Sequence, residues 1–336
     1  MPLKTVLVVR DEVAHQGRPR PRASITALEQ VANRPIVHHA VAGLREVSTG
    51  GIIFAGDADA LLDVRDSLNE LAPGLDRVEY VVSPSEAGIA RALSAVAPLV
   101  GDAACLVQPA DGLLDEPVTA LVDLLDEESS DLVLLVGSSD AGDARNDVGA
   151  ADVALFGPGA LSHATGQIAV GDSIDLAGAG QRLAAGGANV LLFPVDGWHR
   201  YRGDGADLLK LNRVALDRVV SSVPGSVRRS NRIEGVVVID PTAQVRSSVI
   251  VGPTVIGAGA IVNDAYIGPY TSIGSGARIE GAEIERSIIS AGASVLHVGS
   301  RLISSLVGRD TRVFRDFTLP RALRLWTGDG DEVALC

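Results

Sequence analysis

Lysine is nearly absent from this chain: Lys4 and Lys210 are the only two among 336 residues, and every other basic side chain is arginine or histidine. Chemistry that needs an ammonium group at a fixed place therefore has two candidates in the whole sequence. Aromatic residues make up 3% of it, and Trp198 and Trp326 are too isolated to form a base-stacking platform. Basic charge is scarce as well. The 29 lysines and arginines face 42 aspartates and glutamates, and the net charge of −13 repels polyanions and excludes a general nucleic-acid or anionic-membrane surface. Small anions remain possible as local ligands. The two cysteines, Cys105 and Cys336, offer neither metal-ligand spacing nor a disulfide framework, which fits a reducing compartment. No apolar run is long enough to cross a membrane, and the opening MPLKTVLVVRDE has too short a hydrophobic stretch for a signal peptide. The expectation is a soluble cytoplasmic protein.

The length allows two domains, each with its own core. Up to about residue 222, β-branched runs at 5–9, 51–55, 78–82, 104–108 and 132–136 alternate with amphipathic stretches at 36–47, 58–71, 86–100 and 118–125. That alternation predicts an α/β domain on a mostly parallel sheet, with ligands beyond the carboxyl ends of its strands. After the turn-rich Val223-Pro224-Gly225-Ser226 the pattern changes. From Ile239, apolar residues recur about every six positions, at Val245, Ile250, Ile256, Val262, Ile267, Ile273, Ile279 and Ile284, the hexapeptide signature of a parallel β-helix. The division predicted is an α/β domain over 1–225, a β-helix over 233–316 and a tail over 317–336. The apolar "FTLPRALRLW" of that tail suits capping or docking of the β-helix end, and a homo-oligomer held partly by the β-helix is expected.

Val31-Ala32-Asn33-Arg34-Pro35, the stretch from Gly88 to Leu114 with its Pro109-Ala110-Asp111, the helix-forming "DLLKLNRVAL" from Asp207, and the repeats from Val249-Ile250-Val251-Gly252-Pro253 to Leu306-Val307-Gly308-Arg309 together resemble the glucose-1-phosphate thymidylyltransferase family, in its long form with a β-helix tail. The resemblance covers nearly the whole chain. It implies a Rossmann-like nucleotidyltransferase domain followed by a left-handed β-helix. The activity it implies is attack of a sugar phosphate on a nucleoside triphosphate with loss of pyrophosphate, a reaction served by positioning and cations.

The family's reaction requires features that this sequence lacks. Its glycine-rich phosphate loop is replaced here by Arg10-Asp11-Glu12-Val13-Ala14-His15-Gln16 and a single Gly17 before Arg18-Pro19-Arg20-Pro21. Either Arg18, Arg20 and Arg22 rebuild an anion site or they form a solvated Arg-Pro loop. The family's lysine before V-x-N-K-P falls, counting back from Asn33, on Ile25 or Thr26, and neither real lysine reaches that place. Arginine's planar fork does not replace an ammonium geometrically. The family's magnesium lies between two aspartates: Asp111 matches one, while the register set by the helix from Asp207 puts Tyr201, followed by Arg202, at the other, with Asp204 three residues on. One carboxylate beside an arginine is a poor magnesium seat. The long insertion that builds the sugar pocket shrinks to the loop 137–151.

Other groups carry less. His38 and His39 fit structural roles on a helix, and Arg228, Arg229 and Arg232 fit the domain junction. His297 in the β-helix invites comparison with hexapeptide acyltransferases. The function expected is that of a catalytically degenerate sugar-nucleotidyltransferase-like protein acting by binding a sugar nucleotide, a sugar phosphate or an active sibling subunit. No catalytic residues, metal or cofactor are expected, with Arg18, Arg20, Gly88, Asp111, Tyr201 and Arg202 as candidate nucleotide or phosphate contacts. The alternatives are an active enzyme with an arginine-rebuilt loop, using magnesium at Asp111, and acyl transfer by the β-helix.

Overall fold

The computed structural model describes residues 2–10, 25–45, 47–71, 77–83, 88–115, 118–127, 130–137, 151–166, 175–228 and 231–315. The α/β part contains β1 (Leu3–Val8), β2 (Gln30–Val31), β3 (Arg34–Pro35), β4 (Gly51–Gly56), β5 (Val78–Val82), β6 (Ala104–Pro109), β7 (Gly112–Leu114), β8 (Leu132–Gly137), β9 (Val153–Phe156), β10 (Val190–Val195) and β11 (Trp198–Arg200). Its helices are α1 (Ile36–Leu44), α2 (Ala58–Leu71), α3 (Gly88–Val100), α4 (Val118–Glu127), α5 (Ala160–Gly166), α6 (Leu176–Ala185), α7 (Gly205–Asp217) and α8 (Gly225–Arg228). Seven strands form one sheet in the order β10-β8-β9-β6-β1-β4-β5. Only β9 runs against its neighbours, pairing antiparallel with β6 and β8.

Continuous apolar runs build this sheet because both its faces are covered. β1, β4 and β6 are buried almost end to end. One face packs on α1, α2 and α4, and α2 presents Ala60, Leu61, Val64 and Leu68 at helical spacing. The opposite face packs on α3, α5 and α6. The chain lays β4 and β5 on one side of β1 and then crosses to place β6 on the other. The end of β1 is thus the switch point where open α/β sheets leave a crevice. α1 stops at Leu44, short of the predicted 47, because Val47 and Ser48 turn back onto the Leu44 carbonyl and the Ser48 hydroxyl bonds Thr5 in the core at 2.6 Å.

Beyond α8 the chain winds into a left-handed parallel β-helix of three five-stranded sheets. All eight recurrent apolar residues from Val245 to Ile284 point into its core. Val227 of α8 covers the first coil. One sheet of the β-helix packs on the α/β part, where Val255 and Ile288 meet Val31, Ile36, Tyr201 and Leu211. Asn212 of α7, 1% exposed, locks this junction: its Oδ1 accepts from the Ala32 amide at 2.8 Å and the Ser272 hydroxyl at 2.6 Å, and its Nδ2 donates to the Tyr270 carbonyl at 3.1 Å. Asn33 adds a bond from its Nδ2 to the Ile273 carbonyl at 2.7 Å. Ala32 and Asn33, with φ of 47° and 62°, form the tight β2–β3 turn; its left-handed backbone suits Asn33 better than Ala32. Among the described residues no helix is long and apolar enough to cross a membrane.

Candidate functional site

Beyond the ends of β1 and β6 lies a cluster of charged side chains. Asp111 follows β6 by two residues and is 3% exposed. Burying a carboxylate so deeply requires compensation, and both its oxygens are engaged. Arg200 Nε donates to Asp111 Oδ1 at 2.8 Å and its Nη2 reaches Oδ2 at 3.5 Å, while the Thr26 hydroxyl donates to Oδ2 at 2.6 Å. Arg200 continues through Nη1 to Asp152 Oδ1 at 3.2 Å. Asp152 Oδ2 then receives Arg202 Nη2 at 2.9 Å and Trp198 Nε1 at 3.4 Å. The result is a chain of alternating charges from a buried aspartate to an exposed arginine.

The local folding explains the convergence. β11 pairs antiparallel with β7, and in a strand alternate residues share a face. Trp198 and Arg200 therefore project together toward Asp152, and Arg202, just beyond the strand, reaches it as well. The antiparallel β9 starts where β6 ends, so Asp152, just before it, lies beside Asp111. Gly112 leaves room for the indole, since a Cβ there would stand 2.2 Å from Trp198 Cη2. Burial pulls the Arg200 pKa down, but Asp111 and Asp152 more than reverse this and hold it above the ordinary arginine value.

Arg10 completes the group. It lies two residues past β1, is partly buried, and its carbonyl oxygen stands 3.5 Å from Thr26 Oγ1. Burial and then repulsion by Arg200 lower its pKa, offset in part by Asp111 and Asp152.

The structure distributes the predicted residues unevenly. Asp111 and Arg202 are in the cluster, whereas Arg18 and Arg20, with Arg22, lie outside the described residues. Gly88 opens α3, and the residues linking it to β5 also lie outside. Tyr201 donates its amide to the Asp111 carbonyl at 3.0 Å, but its side chain is buried in the junction with the β-helix, 3% exposed. Strand parity sends it away from the carboxylates. Asp204 does not join Asp111 either; it caps α7 by accepting from the Ala206 amide at 3.0 Å. Lys4 Nζ donates to the Leu99 carbonyl, and Lys210 is on the exposed side of α7. His38 bonds Ser67 Oγ and His39 bonds the Val31 carbonyl, both at 2.9 Å. His297 sits half-exposed at a β-helix corner, 3.9 Å from Glu280. The loop between β8 and β9 is largely outside the described residues.

Arg200, Asp152, Thr26 and Arg10 are the residues that sequence reasoning missed. Arg200 stands two residues before Arg202, the spacing at which extended backbone sends both side chains the same way.

A divalent magnesium ion needs several free oxygen ligands in near-octahedral array. Here the Asp111 oxygens are taken by Arg200 and Thr26, and no group of three metal-ligating side chains occurs among the described residues. The described residues at this place do not fit the metal.

Comparison with known proteins agrees with the architecture. The chain is 28% identical to a glucose-1-phosphate thymidylyltransferase of Streptomyces antibioticus over 95% of this chain and 96% of that one. A protein of the same name from Streptomyces griseus is 27% identical, with 96% and 97% covered. The low-salt glycan biosynthesis nucleotidyltransferase Agl11 of Haloferax volcanii is 29% identical, with 95% and 96% covered. A Bacillus anthracis structure, described as a glucose-1-phosphate thymidylyltransferase in complex with a sucrose, superposes with a TM-score of 0.53 at 16% identity, over 66% of this chain and 97% of that one. At that identity it supports the fold alone. No protein-family model matches the chain.

Proposed function

We propose that this chain, related along its whole length to sugar nucleotidyltransferases, has given up nucleotidyl transfer and acts by binding a phosphorylated ligand such as a sugar nucleotide. The observation that carries this reading is the occupation of Asp111 by Arg200 and Thr26. Transfer of a nucleotidyl group gathers negative charge that a positioned cation must meet as it develops. A guanidinium already neutralised by two carboxylates has little charge left for that task, and a metal ion would have to break a buried ion pair to enter. The same arrangement still suits a resting anion near the strand ends, where the ligand crevice of this sheet type lies. A partner subunit remains a second use of such a protein, compatible with the ligand reading.

The test is direct. Purified protein incubated with each nucleoside triphosphate, several sugar 1-phosphates and magnesium should release no pyrophosphate above a no-protein control. Robust magnesium-dependent release with any of these substrates would overturn the reading and favour an active enzyme with rebuilt cationic groups.

A further inference from the structure

The two ends of the β-helix are finished differently. Val227 of α8 covers the first coil. The last coil, formed by Leu302–Ile303, Leu306–Val307 and Arg312–Phe314, pairs with the coil before it, and its outer edges have no strand partner among the described residues. Apolar exposure gathers there as well. Ile303 is 45% exposed, Leu306 42% and Phe314 52%, while Leu302 and Val313 are only partly buried at the margin of the core. Beside this end lies a cavity of about 490 Å³, walled by Ile25 and Leu28 of the short turn around Thr26, by Leu208 of α7, and by Ile288 and Leu306 of the β-helix. Glu29 and Asp63 bring acid to its lining, against Arg309.

We infer that residues 317–326 of this same chain cap the last coil and seat their apolar side chains in the cavity. The segment lies outside the described residues, and three features favour it as the occupant. Reach is the first. Tyr266 pairs with Val249 and Glu283 with Tyr266, so these coils take 17 residues each. By that step the chain comes back over Leu306 at Leu323.

Composition is the second feature. The stretch "FTLPRALRLW" holds no acid and two arginines, Arg321 and Arg324, which complement Glu29 and Asp63 in the lining. Leu319, Leu323 and Trp326 stand at the spacing of one helix face. Pro320 and the lack of a corner glycine break the hexapeptide pattern, so the segment suits a cap and not a further coil. Connection is the third. A segment joined directly to the coil meets it at an effective concentration far above that of a second copy's tail. The segment 11–24, which also leads up to Ile25, has no leucine, isoleucine, phenylalanine or tryptophan to bury.

The consequence reaches the charged cluster. Ile25 and Leu28 stand on either side of Thr26, whose hydroxyl donates to Asp111. A seated tail therefore braces the turn that presents Thr26.

The experiment uses the full chain and has two readouts. In a Cys336→Ser background, Leu306→Cys combined with Leu323→Cys should form a disulfide within one molecule on mild oxidation, read by peptide mapping of the monomer band. Cys105 stays silent, because burial pushes its thiol up to about 12. Hydrogen exchange then compares wild type with a variant of the same length carrying Leu319→Ser, Leu323→Ser and Trp326→Ser. The amides of Leu28 and Glu29, which close the turn, and those of 302–314 should exchange at least tenfold faster in the variant, while the first coil at 237–239 keeps its wild-type rate. A disulfide between two molecules, no disulfide, exchange unchanged at either place, or acceleration spread equally to the first coil would each overturn the inference. Neither readout depends on whether the site transfers a nucleotidyl group or only binds.

Discussion

Replacing Arg200 by methionine tests whether the charged cluster is held together as described. The Arg200 side chain is 13% exposed and Asp111 3%. At the observed 2.8 Å, an effective dielectric of about 20 gives a gross attraction of roughly 6 kcal/mol. Desolvation of both groups offsets much of this, yet removing one partner strands the other as a buried charge, which costs about 3–5 kcal/mol. Two details adjust that figure. Arg200→Met relieves Arg10 of its repelling neighbour, and Thr26 still donates to Asp111. We therefore expect a loss near the lower end, about 3 kcal/mol. Asp111→Asn alone should also destabilise, by stranding Arg200 with Asp152 as its remaining carboxylate. Urea unfolding followed by circular dichroism, on wild type, both single variants and the double variant, gives the coupling by a mutant cycle. The pair should couple by about 2 kcal/mol or more, beyond what independent sites show. Additive losses, or an Arg200→Met loss within about 0.5 kcal/mol, a value typical of surface substitutions, would refute the saturated-aspartate argument on which the proposed function stands.

Two further expectations concern the frame around the site. His39 is pushed down to about 4 by burial, with the Val31 carbonyl opposing and Arg34 adding to the shift. The unfolded chain therefore takes up its proton near pH 6.5 while the native state resists until about 4. Stability should fall as the pH drops through that window, by roughly 3 kcal/mol in full, and His39→Leu should remove that share of the acid limb; an unchanged difference between pH 7 and pH 4 counts against it. Asn212→Ala deprives the Ala32 amide and the Ser272 hydroxyl of their shared acceptor and should cost about 2–4 kcal/mol for two stranded buried groups, measured by urea unfolding. A loss under about 0.5 kcal/mol would mean that the junction does not depend on it.

The β-helix was legible because its signal is repetitive: an error at one coil is corrected by the phase of the next, and every inward residue from Val245 to Ile284 landed inside. The sheet was legible from composition, since strands buried on both faces must be apolar throughout. Helix ends were less so. The end of α1 depends on Ser48 meeting Thr5, a contact between distant residues that no local pattern encodes. The site was half legible for the same reason. Asp111 stood in a recognisable motif, but its partners Thr26 and Arg200 come from 85 and 89 residues away. Counting back from a helix placed the second carboxylate position on Tyr201, which is one step out of phase with the face that matters.

The departures from the pattern of the family that the chain resembles are not independent of one another. From sequence, a missing lysine and a missing metal carboxylate look like separate losses. Thr26 occupies one of the positions to which the lysine was counted, and its hydroxyl touches the same aspartate that Arg200 holds. A lysine at 26 would bring a further cation to a carboxylate already neutralised, beside Arg200 and close to Arg10, where like charges repel strongly in a partly dry setting. A short hydroxyl suits that place beside Arg200, and the arginine suits it because no lysine among the described residues reaches Asp111. The two features are therefore linked, and changing either alone leaves Asp111 with too much positive charge or too little.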